Sequence, residues 1–203
     1  MANTDAPMGF RPVMHQNGQP YNGAANLYMA TSGAAMFIGD AVLITGQSNA
    51  AEIDGNPPGS VPIVNSAATA NTDSISGVVV GVVPRSANDE PYRPASKTNR
   101  LVWVADAADL LFEAQADGTL TQDDVGNATV LVTTHSGSTV TGRSGQEISA
   151  TTATQGTFRI ERLVPKADND LASANSKVWV SVRRHTSGTR GAATTAGYGI
   201  GVA

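Results

Sequence analysis

Apolar residues fall in short runs divided by Gly, Pro, Asn, Asp and Ser, and no run repeats with a sustained helical period. The densest run is Gly77-Val78-Val79-Val80-Gly81-Val82-Val83-Pro84, bounded upstream by the turn signal Asn71-Thr72-Asp73-Ser74. Valine loses rotamer freedom in a helix and packs well on a pleated surface, so this stretch predicts a strand. Both of its alternating faces are apolar, which predicts cover on both sides. The two internal glycines predict a bulge or a close backbone approach.

Further strands are expected at Phe37–Thr45, at Val61–Val64 (an edge, because of Pro62), at Leu101–Asp106, Leu110–Gln115 and Thr129–Thr134. Phe158–Arg162 alternates with Phe158 and Ile160 inward, and Val178, Val180 and Val182 share one face of the last strand. Thr121 followed by Asp124 has the form of a helix-start cap for a single turn. About nine short strands at these intervals predict an all-β fold, a β-sandwich of jelly-roll type.

Three regions follow. Residues 1–35 are rich in Gly, Pro and Asn yet carry Phe10, Val13, Tyr21, Leu27, Tyr28 and Met29, which predicts an extended N-terminal arm lying along another surface, its own sandwich at Leu27–Met29 and a partner chain further upstream. Residues 36–185 form the sandwich, and 186–203 are a Gly/Ala/Thr-rich tail. The segment 85–99 is a long polar loop of the kind that binds something or crosses a sandwich.

Charge sharpens this picture. Charged residues make up 15% and aromatics 5%, and the net charge is −4. That balance argues against a free-standing nucleic-acid binder. Thirteen cations face seventeen carboxylates, but no acid follows Asp170 while Lys177, Arg183, Arg184 and Arg190 do. The C-terminal end is therefore +4, a basic edge suited to an acidic neighbour.

Chemistry is sparse. With no cysteine, disulfides and thiolate sites are excluded. His15, His135 and His185 stand apart in polar surroundings, without ligand spacing, and are expected at the surface. Asp123-Asp124 and Asp168-Asn169-Asp170 lack a calcium-loop pattern, and no Gly-x-Ser-x-Gly elbow occurs. Trp103 and Trp179, set among valines, are expected to pack in a core or interface; their exposure beside an acidic cleft would favour a carbohydrate-binding or depolymerising module. No catalytic residue, cofactor or metal site is expected. No apolar run is long enough for a helical membrane span, and the first residues lack a secretory leader pattern, so synthesis in the cytoplasm is expected.

One resemblance organises these pieces. Ala6-Pro7-Met8-Gly9-Phe10-Arg11-Pro12-Val13, with His15 and Pro20-Tyr21-Asn22-Gly23, resembles the start of tailed-bacteriophage capsid cement (decoration) proteins. The similarity continues through Phe37-Ile38-Gly39-Asp40, Ile75 to Gly81, Val102 to Asp106, Thr141-Gly142-Arg143-Ser144-Gly145 and Trp179-Val180 to His185. It implies a structural protein of the virion, on the outer surface of an HK97-type shell. The partners implied are the major capsid protein and copies of the chain itself, as a dimer or trimer at local symmetry axes, with no nucleic acid and no membrane. The contact residues expected are Phe10, Arg11, Pro12 and Tyr21 on the arm and Arg183 and Arg184 at the basic end. The tail beyond His185 departs from the pattern by its length.

Overall fold

A computed structural model describes residues 3–31, 33–67, 74–153, 155–171 and 173–186. The expected tail from residue 187 and the turn at Asn71–Asp73 lie outside the described residues. The fold is all-β, with no α-helix among the described residues.

Five strands close a barrel in the order β2 (Asn26–Ala30), β4 (Pro62–Ser66), β3 (Ala41–Ser48), β5 (Gly77–Val82) and β6 (Arg100–Ala105), with β6 returning to pair with β2. An antiparallel sheet holds β1 (Arg11–His15), β7 (Leu110–Gln115), β12 (Lys177–Val182), β11 (Phe158–Leu163) and β8 (Ala128–Thr129) in that order. A short ribbon pairs β9 (Leu131–Val132) with β10 (Glu147–Ile148).

The Val-rich strand sits where its pattern put it. Val79 points into the barrel with Tyr28, Val42, Val64, Val102 and Val104. Val78 points outward into a second core shared with Phe112, Phe158, Val178 and Val180 of the large sheet. The pairing of β5 with β6 slips between Val79 and Gly81, the bulge that the glycines predicted. A Cβ on Gly77 would lie 2.4 Å from the Ala105 carbonyl oxygen, so only glycine admits that approach. The inward alternation on β11 and β12 is also observed, as is the cap at Thr121, where the backbone N–H and hydroxyl of Thr121 both donate to Asp124.

Several expectations are corrected. Pro62 does not mark an edge: it opens β4 as its first residue, and β4 lies inside the closed barrel, parallel to β2 and antiparallel to β3. The strand expected from Phe37 begins at Ala41, because Gly39 has φ +101° and the Asp40 carboxylate accepts the Phe37 N–H at 2.8 Å, which makes a turn. Thr129–Thr134 splits into two two-residue strands belonging to different sheets. The loop 85–99 is laced to itself: Asp89 accepts from the Arg85 N–H at 2.6 Å and pairs with Lys97 and Arg100. From that loop the fully buried Arg93 donates to the carbonyls of Lys97 and Ala34, which satisfies its guanidinium.

The N-terminal region lies on its own fold at Leu27–Met29, as expected, and does so further upstream as well. β1 hydrogen-bonds along β7, and β2 closes the barrel, so residues 11–30 belong to both sheets. Phe10 is 2% exposed and stacks on Phe158 with ring centroids 4.6 Å apart. A partner therefore cannot reach Phe10 as a contact residue. Replacing Phe10 by Ala removes a buried ring between the two layers and is expected to lower folding stability by about 3–5 kcal/mol, read from the midpoint of urea denaturation. A loss under about 1 kcal/mol would mean that the N-terminal segment is peripheral to the core.

Candidate functional site

Three separated pieces of sequence cross beside Phe10. The Phe10 N–H donates to the Gly39 carbonyl at 2.9 Å, the Ile38 N–H to Gly142 at 2.8 Å, and the Ser144 N–H back to Ile38 at 2.8 Å. The Gly39 N–H donates to Val79 of β5 at 2.8 Å, which ties the crossing to the barrel. Gly9 (φ +72°) has no room for a side chain, since a Cβ would stand 2.6 Å from the Gly39 carbonyl oxygen and 2.5 Å from Ser144 Cβ.

Asp40 holds this crossing from inside. Its carboxylate accepts from the Phe37 N–H and from the Ser144 hydroxyl, while Ser144 Oγ accepts the Gln146 N–H at 3.0 Å. Burial outweighs these hydrogen bonds and raises the Asp40 pKa from 3.8 to about 6.

The crossing forms one wall of a cleft of about 250 Å3. Met8, Phe10, Pro12 and Tyr21 line one side, with Ile38, Val79, Val80 and Arg143 across from them. Arg11 also borders it, its guanidinium 2.9 Å from the Glu113 carboxylate. Tyr21 donates its hydroxyl to the Ala24 carbonyl at 2.9 Å, and burial, then the nearby Asp106, raise its pKa. The Arg143 side chain is exposed and forms no ion pair among the described residues. No lining side chain is a carboxylate, an imidazole or an aliphatic hydroxyl. What the cleft offers is an apolar floor with a cation at its rim.

Of the six contact residues expected from sequence, four line this one cleft, with Phe10 as its buried floor. The other two lie elsewhere, at the end of β12: Arg183 and Arg184 donate backbone N–H groups to the Thr157 carbonyl. Arg143 and Asp40 are the residues missed. The repeated glycines around them were visible, but the convergence of three segments far apart in sequence was not. A larger open depression of about 930 Å3 lies beside residues 47–54, where Arg85 binds Asp54 at 2.8 Å and the Asn99 carbonyl at 2.7 Å. Its cation is already satisfied there, so it offers less to a partner.

The histidines differ in exposure: His135 is at the surface as expected, His15 is half-buried and His185 is buried. His15 meets Asp109 at 3.0 Å, His135 meets the buried Glu147 at 2.8 Å, and His185 is itself buried, which lowers its pKa. Among the described residues no group of three His, Asp or Glu side chains is placed to hold a metal ion. Neither tryptophan lies in the core: Trp103 is 43% exposed on the barrel exterior beside Gly81 and Leu27, and Trp179 is half-buried under Arg162.

Because Asp40 binds its proton more tightly when folded, its contribution to stability is fully present below pH 3.8 and is lost as pH rises to about 6. Asp40→Asn keeps an acceptor for the Phe37 N–H and removes the buried charge. The melting-temperature difference between wild type and Asp40→Asn, followed by circular dichroism from pH 4 to 7, is expected to shift in favour of the variant as pH rises. A difference that stays constant with pH would rule out a buried charge at this crossing. Comparison with protein families, with curated proteins and with solved structures gives no match for this chain.

Proposed function

We propose that this chain is a structural cement protein of a tailed-phage virion, without catalytic activity. It adheres to the outer surface of an HK97-type shell and clamps neighbouring major capsid proteins against the pressure of packaged DNA. In this reading the body is a jelly-roll-like sandwich, its layers being the large sheet and the facing wall of the barrel, which share one core. Copies of the chain meet as a dimer or trimer at local symmetry axes, so modest contacts are multiplied by repetition.

The observation that carries this reading is spatial convergence. The segments that resemble cement proteins, around Gly9-Phe10-Arg11-Pro12, Phe37-Ile38-Gly39, the Val-rich strand and Thr141-Gly142-Arg143, are far apart in sequence and together line a single cleft. Their residue types serve packing and contact. Arg11 and Arg143 are its exposed residues, with Met8, Pro12, Tyr21, Ile38 and Val80 half-buried beside them, and these are the groups that a coat subunit can reach.

A second reading, a carbohydrate-binding or depolymerising module of the virion, is favoured by the exposed Trp103 indole alone. Sugar platforms use such a ring with polar groups around it. Here the cross-strand neighbours of Trp103 are Leu27 and Gly81.

The test is co-sedimentation with phage shells stripped of this protein. Wild type is expected to bind and to raise the temperature at which the shells open. Arg143→Glu, at an exposed side chain, is expected to weaken binding about tenfold or more with an unchanged melting temperature. Wild type that stays in the supernatant, or that binds a bacterial surface glycan while ignoring shells, overturns the proposal.

A further inference from the structure

The outward face of the large sheet has a chemistry of its own. Phe112, Ala114, Phe158, Ile160, Val178, Val180 and Val182 point into the core, so Glu113 and Gln115 of β7 (both buried), Arg159 of β11 and Lys177, Trp179 and Ser181 of β12 lie on the other face, and the slip of β11 between Ile160 and Arg162 brings Arg162 to that face as well. Across the middle of that outer face the register aligns Arg11, Glu113, Trp179 and Arg162 in one row spanning four strands. The Arg162 guanidinium lies 4.2 Å from the Trp179 ring centroid.

Cations dominate the surroundings of this row. Arg11 and Lys166 share the single carboxylate of Glu113 at 2.9 and 3.3 Å, with side chains 54% and 46% exposed. Arg159 pairs with Glu161 at 2.9 Å, and Glu161 also accepts from the Ser181 hydroxyl at 2.6 Å. Lys177 lies on β12 two residues before Trp179, and neither it nor Arg162 makes an ion pair among the described residues. The patch is bounded at the Gln115 end, where Asp5 accepts from Gln115 at 3.2 Å. Five cations thus stand with three carboxylates, Glu113, Glu161 and Asp5, on one face of a chain whose net charge is −4.

We infer that this sheet face, centred on Trp179 and Arg162, is a docking surface for a carboxylate-rich protein surface. This inference rests on the cement reading and adds to it which face meets the coat and with what chemistry. Charge complementarity fixes the partner's sign. The composition of the patch fixes its class: a Trp–Arg centre inside a rim of half-neutralised charges is the anatomy of a protein interface. Arg11, Lys166 and Arg159 are each already matched by a carboxylate of this chain, which leaves two cations without an ion pair among the described residues, few against the row of phosphates that a nucleic-acid site neutralises. Arg162, stacked on Trp179, and Lys177 are the cations of the patch without an ion pair among the described residues and so the ones that find acidic partners, while Glu113 and Glu161 hold the other three in place.

The experiment compares wild type with Arg162→Glu/Lys177→Glu and with Arg162→Gln/Lys177→Gln. Neither pair of substitutions leaves a carboxylate without its partner. Binding to stripped phage shells is measured by co-sedimentation at about 50 and 500 mM salt, with folding checked by the melting temperature. The reversed variant is expected to bind shells at least tenfold more weakly than wild type, the neutral variant to fall between them, and salt to weaken wild type most. Wild-type binding with an unaffected reversed variant overturns this face and leaves the cement reading standing. No shell binding by wild type overturns both. Submicromolar binding of a short DNA duplex by wild type, lost in the reversed variant, overturns the acidic-protein assignment in favour of nucleic acid.

Discussion

The structure depends on one crossing, where the backbone of Gly9-Phe10 is pressed against Gly39 and Ser144. The contact is close enough to exclude a side chain at position 9, and the backbone N–H groups of Phe10, Ile38, Gly39 and Ser144 and the Asp40 carboxylate all find partners in it. That condition is strict, because a buried backbone group left without a hydrogen bond costs more than the bond contributes when made. Once the crossing forms, Phe10 is delivered to Phe158, β1 to the edge of β7, and Gly39 to Val79 of the barrel. The two layers are thereby joined by backbone as well as by the shared apolar core.

Much of the fold was legible because it rests on local chemistry. The Val-rich strand, its bulge, the alternation of Phe158 and Ile160 and the valine face of β12 follow from rotamer stiffness and the two-residue period of a strand. Barrel closure was not legible, since it is set by pairing between strands far apart in sequence, such as β2 with β4 and with β6. The same limit explains Pro62. Proline was read as an edge marker because it donates no ladder hydrogen bond, yet at the first position of β4 that donor is not required.

The N-terminal region shows how composition can mislead about disposition. Gly, Pro and Asn at high density do specify an extended, turning backbone, and that is how residues 9–23 run. Composition does not say whether such a backbone is free or inlaid. The large apolar side chains were the informative signal, and they are accounted for inside the molecule: Phe10 in the shared core, Tyr28 within the barrel, Met29 under the loop that carries Ile53 and Val61. For the cleft, four contributing residues were legible from motif resemblance, while Arg143 required knowing that Thr141–Gly145 folds back onto Ile38.

β1 gives the two surfaces a common hinge of geometry. In a strand successive side chains leave on opposite sides, so Phe10 and Pro12 turn toward the cleft while Arg11 between them reaches Glu113 on the outer row. The pairing of β1 slips between Pro12 and Met14, which confines this strict alternation to the segment that serves both surfaces. A change in the seating of Gly9 would therefore move Pro12 in the cleft and Arg11 in the basic row together. The buried Asp40 carboxylate lies beside that seat, bonded to Ser144, whose Cβ limits what can stand at position 9.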